Sequence, residues 1–149
     1  MQGARADGQV FLMNRRGTLR AAASVMASDH QLLRERTKRF AFDVINLVKG
    51  LPRNIATDAI ARQLIKSGTS VAANHRSAGR ARSHREFVAK LGLVVEEADE
   101  TELWLEALLK CDLAPSDLVE PRYREACELR AIFVQSLTTA RSRKPLLGS

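Results

Sequence analysis

Six basic residues give the sequence its clearest chemical signal, because arginine and lysine side chains bind phosphate groups. Four arginines crowd into positions 76–85 and two further cations precede them, so the set comprises Arg62, Lys66, Arg76, Arg80, Arg82 and Arg85. A polyanion such as RNA or DNA is one ligand that this set would attract. The alternative is a solvated helix end, where arginines increase solubility and interact favourably with the helix dipole.

Catalytic and metal-binding patterns do not accompany these cations. His30, His75 and His84 are far apart in the sequence, and the acidic residues form no Glu-x-x-His pairs of the kind that hold two iron ions in helical bundles. Cys111 and Cys127 form no CxxC pair, and we interpret them as small core residues. No glycine-rich phosphate loop is present. We therefore predict a protein that is not an enzyme and that uses no cofactor or metal.

Two polar residues, Asn74 and Glu100, fall near the inner or boundary faces of their predicted helices. A buried carboxylate needs an ion pair or hydrogen bonds. These residues would therefore form either a polar site at a bundle or subunit interface, or a hydrogen-bond network that fixes the register of the helices, and we favour the network. Trp104, at the edge of the third helix's apolar seam, is interpreted as a core or subunit contact.

Charge is segregated along the 149-residue chain, whose formal net charge is +7. Residues 26–90 hold 13 basic and 5 acidic side chains, whereas residues 91–128 hold 3 basic and 11 acidic ones. Such a layout fits a basic surface for polyanions, basic and acidic faces that meet in self-assembly, or simply solvated helix faces. Aromatic residues are not interleaved with the cations over residues 53–85, so an aromatic platform for stacking bases is not indicated.

The composition predicts one soluble, cytoplasmic domain. No apolar run reaches the roughly 18 residues that a membrane span requires, and two cysteines without a secretory leader do not make a disulfide framework. We predict that residues 1–28 form a disordered leader and that residues 142–149 form a frayed tail. The leader could be an upstream extension of a chain that truly starts at Met26, or an arginine-rich transit peptide.

Apolar residues at helical spacing predict four helices between these ends. The first begins at Asp29 and ends at Pro52, which cannot continue a helix. The second is capped by Asn54, and a capping box formed by Ser83 and Glu86 starts the third. The fourth begins with Pro121 in its first turn.

The third helix has the most regular pattern in the chain. Its apolar and small residues recur at alternating steps of four and three, as Phe87, Leu91, Val94, Ala98, Thr101, Leu105 and Leu108. Four long helices with short connections and no strand-like alternation predict an all-α fold, an antiparallel up-down-up-down four-helix bundle over residues 29–141.

An ordered series of short motifs resembles one protein family over about residues 31–140. The series is SGTSVAAN at 67–74, RARS at 80–83, EFVAKL at 86–91, and EADET followed by WL between positions 97 and 105. It is similar to the four-helix-bundle proteins related to those encoded in intervening sequences of bacterial 23S ribosomal RNA genes. Related bundles include the accessory variability determinant of diversity-generating retroelements.

The resemblance implies a bacterial, non-enzymatic protomer that assembles into a homopentameric ring. In the retroelement relative, a basic surface engages nucleic acid and a reverse transcriptase partner. The positions that match the family's motifs are framework positions by this resemblance: Gln63, Leu64, Ser67, Ser70, Asn74, Glu86, Phe87 and Glu100. The family often has an acidic residue where this chain has Ser77, and its loss makes the turn more basic.

We therefore predict a homo-oligomeric accessory or adaptor protein that binds RNA or DNA through the six cations. The alternative is a scaffold for protein–protein interaction, in which the segregated charge serves self-assembly.

Overall fold

The computed structural model describes the backbone of residues 15–143 and the side chains of residues 22–143. Four α-helices account for most of them: α1 (Arg15–Lys49), α2 (Ile55–Ala78), α3 (His84–Lys110) and α4 (Ser116–Ser142). No strand occurs within the described range, so the all-α prediction is confirmed. Of the described residues, those from 33 to 143 form one compact unit, and those from 15 to 32 belong to a second.

The hydrophobic core of the unit from Leu33 onward receives buried side chains from all four helices. In α2 the predicted stripe is buried at Leu64, Ser67 and Val71, while Ile60 lies at its edge. In α3 the whole predicted seam from Leu91 to Leu108 is buried, and α1 and α4 contribute chiefly Phe40, Val44, Leu129 and Phe133. The 3.6-residue period of the sequence therefore located the core correctly.

Polar contacts join neighbouring helices at the margins of this core. Between α1 and α4, Arg36 donates two hydrogen bonds to the carboxylate of Glu125, at 2.6 and 2.7 Å. Between α2 and α3, Lys90 Nζ donates to Ser77 Oγ at 2.7 Å. Together with the shared core, these contacts pack the four helices into a bundle.

The predicted N-terminal caps of α2 and α3 are both present. Asn54 Oδ1 accepts a hydrogen bond from the Thr57 backbone N–H at 2.9 Å, and Ser83 Oγ accepts one from the Glu86 N–H at 3.1 Å. The second half of the capping box differs from the prediction, because the Glu86 carboxylate accepts from the N–H of Arg82, at 2.8 Å, and not from that of Ser83. This bond holds the pKa of Glu86 below its usual value.

Two helix boundaries differ from the prediction. The helix α1 begins at Arg15, fourteen residues before Asp29, because the alanines at 21–23 have high helix propensity although residues 22–32 are all exposed. The helix α4 begins at Ser116, so Pro121 lies in its second turn. Backbone bonds from Leu118 and Val119 to the Pro115 carbonyl start that helix. Residues 1–14 and 144–149, which hold half of the predicted leader and most of the predicted tail, lie outside the described range.

Candidate nucleic-acid interface

Three of the six cations lie on the outward face of α2. Successive residues of an α-helix are about 100° apart, so Arg62, Lys66 and Arg76 fall within an arc of about 80°. The buried Leu64 and Val71 occupy the opposite side of the same helix. All three cations are exposed. Burial of the apolar stripe against the core therefore turns these three charges toward solvent.

The other three cations surround the five-residue connection between α2 and α3. The chain leaves α2 through Gly79, whose N–H donates to the His75 carbonyl at 3.2 Å, and Arg80 donates its N–H to the Ser77 carbonyl at 3.0 Å. Arg80, Arg82 and Arg85 are exposed on this turn and on the first turn of α3. The turn thus adds three exposed cations just past the end of α2.

Five of the six cations have no ion pair with the carboxylates of residues 22–143. No Asp or Glu oxygen in that range lies within 4.0 Å of the side-chain nitrogens of Arg62, Lys66, Arg76, Arg80 or Arg85. Arg82 has a weak partner, since its Nε is 3.5 Å from Glu86 Oε2 and its side chain is 90% exposed. These guanidinium and ammonium groups therefore keep their donors available for an external anion.

Two arginines elsewhere in the bundle, Arg36 and Arg130, are used differently. Arg36 pairs with Glu125 and Glu128, and Arg130 lies between Asp99, at 3.7 Å, and Glu102. The carboxylates raise the pKa of both guanidinium groups. The contrast separates arginines that tie helices together from those of the α2 face and its turn.

The polar pair Asn74 and Glu100 is satisfied within separate helices. Asn74 Nδ2 donates to the Ser70 carbonyl at 3.0 Å, and Glu100 Oε1 accepts from Trp104 Nε1 at 3.2 Å. Both bonds lie within a single helix, and the register network stays a prediction. Trp104 itself packs against the core, as expected.

The remaining framework positions divide between core and surface. Leu64 and Ser67 are fully buried, and Ser67 Oγ donates to the Leu64 carbonyl at 3.4 Å. Phe87 packs against the core while partly exposed, and Gln63 is exposed. These placements fit a structural role for the buried residues and leave the role of Gln63 a prediction.

Sequence reasoning missed Glu97, a half-buried carboxylate on α3. Its Oε2 atom is buried and has no hydrogen-bond partner among the described residues. Burial, with a smaller contribution from Glu100, raises the pKa of Glu97, while Lys66 opposes the shift. Its position directly before the seam residue Ala98 was the available signal, because such boundary positions point partly inward.

Metal and membrane sites were also sought over the described residues. No group of three or more His, Cys, Asp or Glu side chains between positions 22 and 143 is arranged to hold a metal ion. None of the helices combines the length and apolarity needed to cross a bilayer.

Comparison with known proteins gives matches of two kinds. A family model described as 23S rRNA-intervening sequence protein matches residues 30–135. The chain is also similar to a solved structure of a protein with unknown function from the S23 ribosomal protein family of Bacteroides thetaiotaomicron. The two are 28% identical with a TM-score of 0.67, over 73% of this chain and 97% of the other. No curated protein matches the chain. All six cations lie within residues 30–135.

Proposed function

The chain belongs to the 23S rRNA-intervening sequence protein family, and from that premise we propose that it is a non-enzymatic accessory protein that binds nucleic acid. Its contact surface is the phosphate-binding face, which we define as Arg62, Lys66, Arg76, Arg80, Arg82 and Arg85. A cytoplasmic location and the absence of catalysis belong to the same proposal.

One observation carries this proposal: five of the six cations have no carboxylate partner in residues 22–143, although acidic residues are plentiful on α3. Exposed cations without an ion pair also occur on α1, at Arg34, Arg39 and Lys49, so the support comes from the concentration of five such residues between positions 62 and 85. Keeping these charges unpaired costs little in water and strengthens attraction to phosphates, because no internal pair must be broken on binding.

The extent of the face fits a polymer better than a small anion. From Arg62 to Arg76 the helix rises about 21 Å, at about 1.5 Å per residue. Phosphates follow one another along a nucleic-acid strand, so cations spread over that length can contact several of them at once. Phosphate contacts carry no sequence information, so we expect weak discrimination between sequences.

The direct test is binding of the full chain to a structured RNA and a matched DNA duplex at several salt concentrations. Binding that falls steeply with salt supports the proposal, since counterions are released when cations neutralise phosphates. Binding that is indifferent to salt, or no binding at low salt, overturns it.

A second candidate function is self-assembly, and the outward face of α3 favours it. Leu93 and Leu103 are 45% and 53% exposed there, and they share the face with Glu96 and Glu100. The positions 89, 93, 96, 100, 103 and 107 recur at steps of four and three, which is the spacing of a helix–helix seam. We propose that this seam contacts another copy; the homopentameric ring and the reverse transcriptase partner remain implications of the resemblance.

Measuring the mass of the oligomer at several ionic strengths shows whether the segregated charge serves self-assembly or nucleic-acid binding. Dissociation at high salt would assign the basic and acidic faces to assembly, whereas a salt-insensitive oligomer would leave the phosphate-binding face free for a ligand.

An antiparallel arrangement of successive helices is part of the proposed architecture. The hydrogen bond between Ser77 and Lys90 supports this arrangement. It joins the end of α2 to the first turns of α3, as expected when the chain reverses direction at the turn between them.

A further inference from the structure

The segment of α1 from residue 15 to residue 32, which we name the arm, is a helix with uncovered side chains. Every side chain from position 22 to position 32 is exposed. Three of them are large and apolar, since Val25, Met26 and Leu32 are 60%, 51% and 65% exposed. Apolar side chains that gather on an exposed surface mark places where proteins contact partners. The arm is therefore a candidate contact element.

The arm repeats the spacing by which α1 packs on the core. Core-facing residues of α1 recur at steps of four and three, as Leu33, Thr37, Phe40, Val44 and Leu47. The same alternation extends backward along the arm through His30, Met26, Ala23, Leu19 and Arg16. Such a sustained alternation is the pattern of a helix–helix contact. The seam of α1 thus continues into the arm, where His30, Met26 and Ala23 are exposed.

The outward face of α3 carries a seam of the same kind with the opposite charge. Residues 91–109 hold six acidic side chains and no basic one, whereas residues 15–28 hold three arginines and no acidic residue. By helical register, Arg15 and Arg20 flank the seam of the arm, and the seam of α3 is flanked by Glu97, Asp99 and Glu106. Charges at such flanking positions determine which helices pair.

The two seams also agree in length. The arm's seam from position 16 to position 30 extends about 21 Å, at about 1.5 Å per residue. The outward seam of α3 from position 93 to position 107 extends the same distance. One arm can therefore cover this stretch of α3, including Leu93 and Leu103, which are 45% and 53% exposed.

We infer that the arm of one copy packs along the outward face of α3 of another copy. The inference rests on the proposed self-assembly and deepens it, because it names the segment that covers this face. The match to the family begins at residue 30, so nearly all of the arm precedes the shared bundle. The cations of the arm are distinct from the phosphate-binding face, which stays available for nucleic acid.

Other basic surfaces of the chain fit the α3 seam less well. Among the described residues, no large apolar side chain is exposed between positions 56 and 92, so the phosphate-binding face offers no apolar contact to Leu93 or Leu103. Two arms would bring arginines against arginines, and like charges oppose association. The arm combines positive charge with Met26 on one helical seam.

The test exchanges charge between the two surfaces in the full chain and measures self-association by sedimentation velocity. The arm variant is Arg16→Glu with Arg20→Glu, and the α3 variant is Glu96→Arg with Glu100→Arg. Each variant alone places like charges together and should weaken association at least about tenfold. In an equimolar mixture, each arm meets an α3 face of opposite charge on the other variant, so association should return.

Two controls separate the contact from general effects. Arg34→Glu with Arg39→Glu makes the same change of charge on exposed positions of α1 outside the arm and should leave association nearly unchanged. Met26→Asp places a charge in the arm's seam and should weaken association about tenfold, whereas Ser24→Asp, about 160° around the same helix, should have little effect. Circular dichroism checks that each variant keeps its helices.

The outcomes distinguish this inference from the proposed functions. A wild-type chain that stays monomeric overturns self-assembly and the inference together, without bearing on nucleic-acid binding. An oligomer that both charge variants leave intact overturns the inference alone. Equal weakening by the Arg34 and Arg39 control, or a mixture that fails to associate, also overturns it, because the charges would then not meet between copies.

Discussion

Gly68 of α2 lies so close to Val44 of α1 that a Cβ atom added at position 68 would be 2.9 Å from Val44 Cγ1. The other atoms of the Val44 side chain would also be near, at 3.1 and 3.3 Å. Val44 is fully buried and β-branched, so it has no alternative rotamer available without displacing the core. Glycine at this position therefore sets how closely α1 and α2 approach.

Gly68→Ala is expected to destabilise the protein by about 1–2 kcal/mol, because overpacking outweighs the higher helix propensity of alanine. Urea denaturation measures this change. The control is Gly92→Ala, where an added Cβ meets nothing within 4 Å. That variant should gain about 0.5–1 kcal/mol. Equal effects of the two substitutions would show that α1 and α2 do not approach closely at Gly68.

Much of this fold could be predicted because periodicity and capping are local properties. The seam of α3 and the caps at Asn54 and Ser83 depend on residues within one or two turns of each other. The start of α1 at Arg15 was not predicted, because residues 22–32 form exposed helix without an apolar stripe that packs on a core.

The candidate site was only partly predictable for a different physical reason. Sequence identified the six cations, and the spacing of Arg62, Lys66 and Arg76 placed them on one helix face. Their lack of carboxylate partners depends on which helices are neighbours. Contacts between residues distant in sequence leave no periodic signal.

The Arg36–Glu125 contact is expected to stabilise the packing of α1 on α4. Its two parallel hydrogen bonds, at 2.6 and 2.7 Å, join side chains that are 37% and 30% exposed. Arg36→Ala should lower the free energy of unfolding by about 1 kcal/mol, at the upper end for partly exposed pairs. Lys38→Ala removes an exposed pair with Glu35 within α1 and should cost less than about 0.5 kcal/mol. A larger loss for Lys38→Ala would contradict this assignment.

Glu97→Gln is expected to stabilise the protein at neutral pH. Burial raises the pKa of Glu97 in the folded state, so folding favours the protonated carboxyl group, and stability is lost as pH rises through that pKa. Glutamine keeps the shape without the charge, so it should add about 1 kcal/mol at pH 7.

The pH dependence of this gain is the sharper measurement. The advantage of Glu97→Gln should shrink as pH falls toward 4.5, the ordinary pKa of the group, because the raised pKa of Glu97 favours its protonation in the folded state as pH falls. Urea unfolding between pH 4.5 and 8 measures the difference in stability between this variant and the wild type. The exposed Glu96→Gln serves as control and should change stability by less than about 0.5 kcal/mol. A gain for Glu97→Gln that does not vary with pH would argue against burial of the charge.

Loss of phosphate contacts from the α2–α3 turn should weaken nucleic-acid binding without melting the bundle. The variant replaces Arg80, Arg82 and Arg85 with alanine, and its thermal unfolding should stay close to that of the wild type, since these side chains are exposed. A control with equal loss of charge replaces Arg34, Arg39 and Lys49, which are exposed on α1. Comparing the nucleic-acid affinities of the two variants separates the effect of contacts made by the turn from the general effect of net charge.

The most direct test of the central claim is the salt dependence of affinity, measured by fluorescence anisotropy with the full chain and a structured RNA. We predict that the logarithm of the association constant falls linearly with the logarithm of salt concentration, and that the Arg80, Arg82 and Arg85 variant reduces this slope by about 3. The α1 control should keep most of the wild-type slope. Equal slopes for the wild type and the turn variant, or affinity that does not change with salt, would contradict nucleic-acid binding through this face.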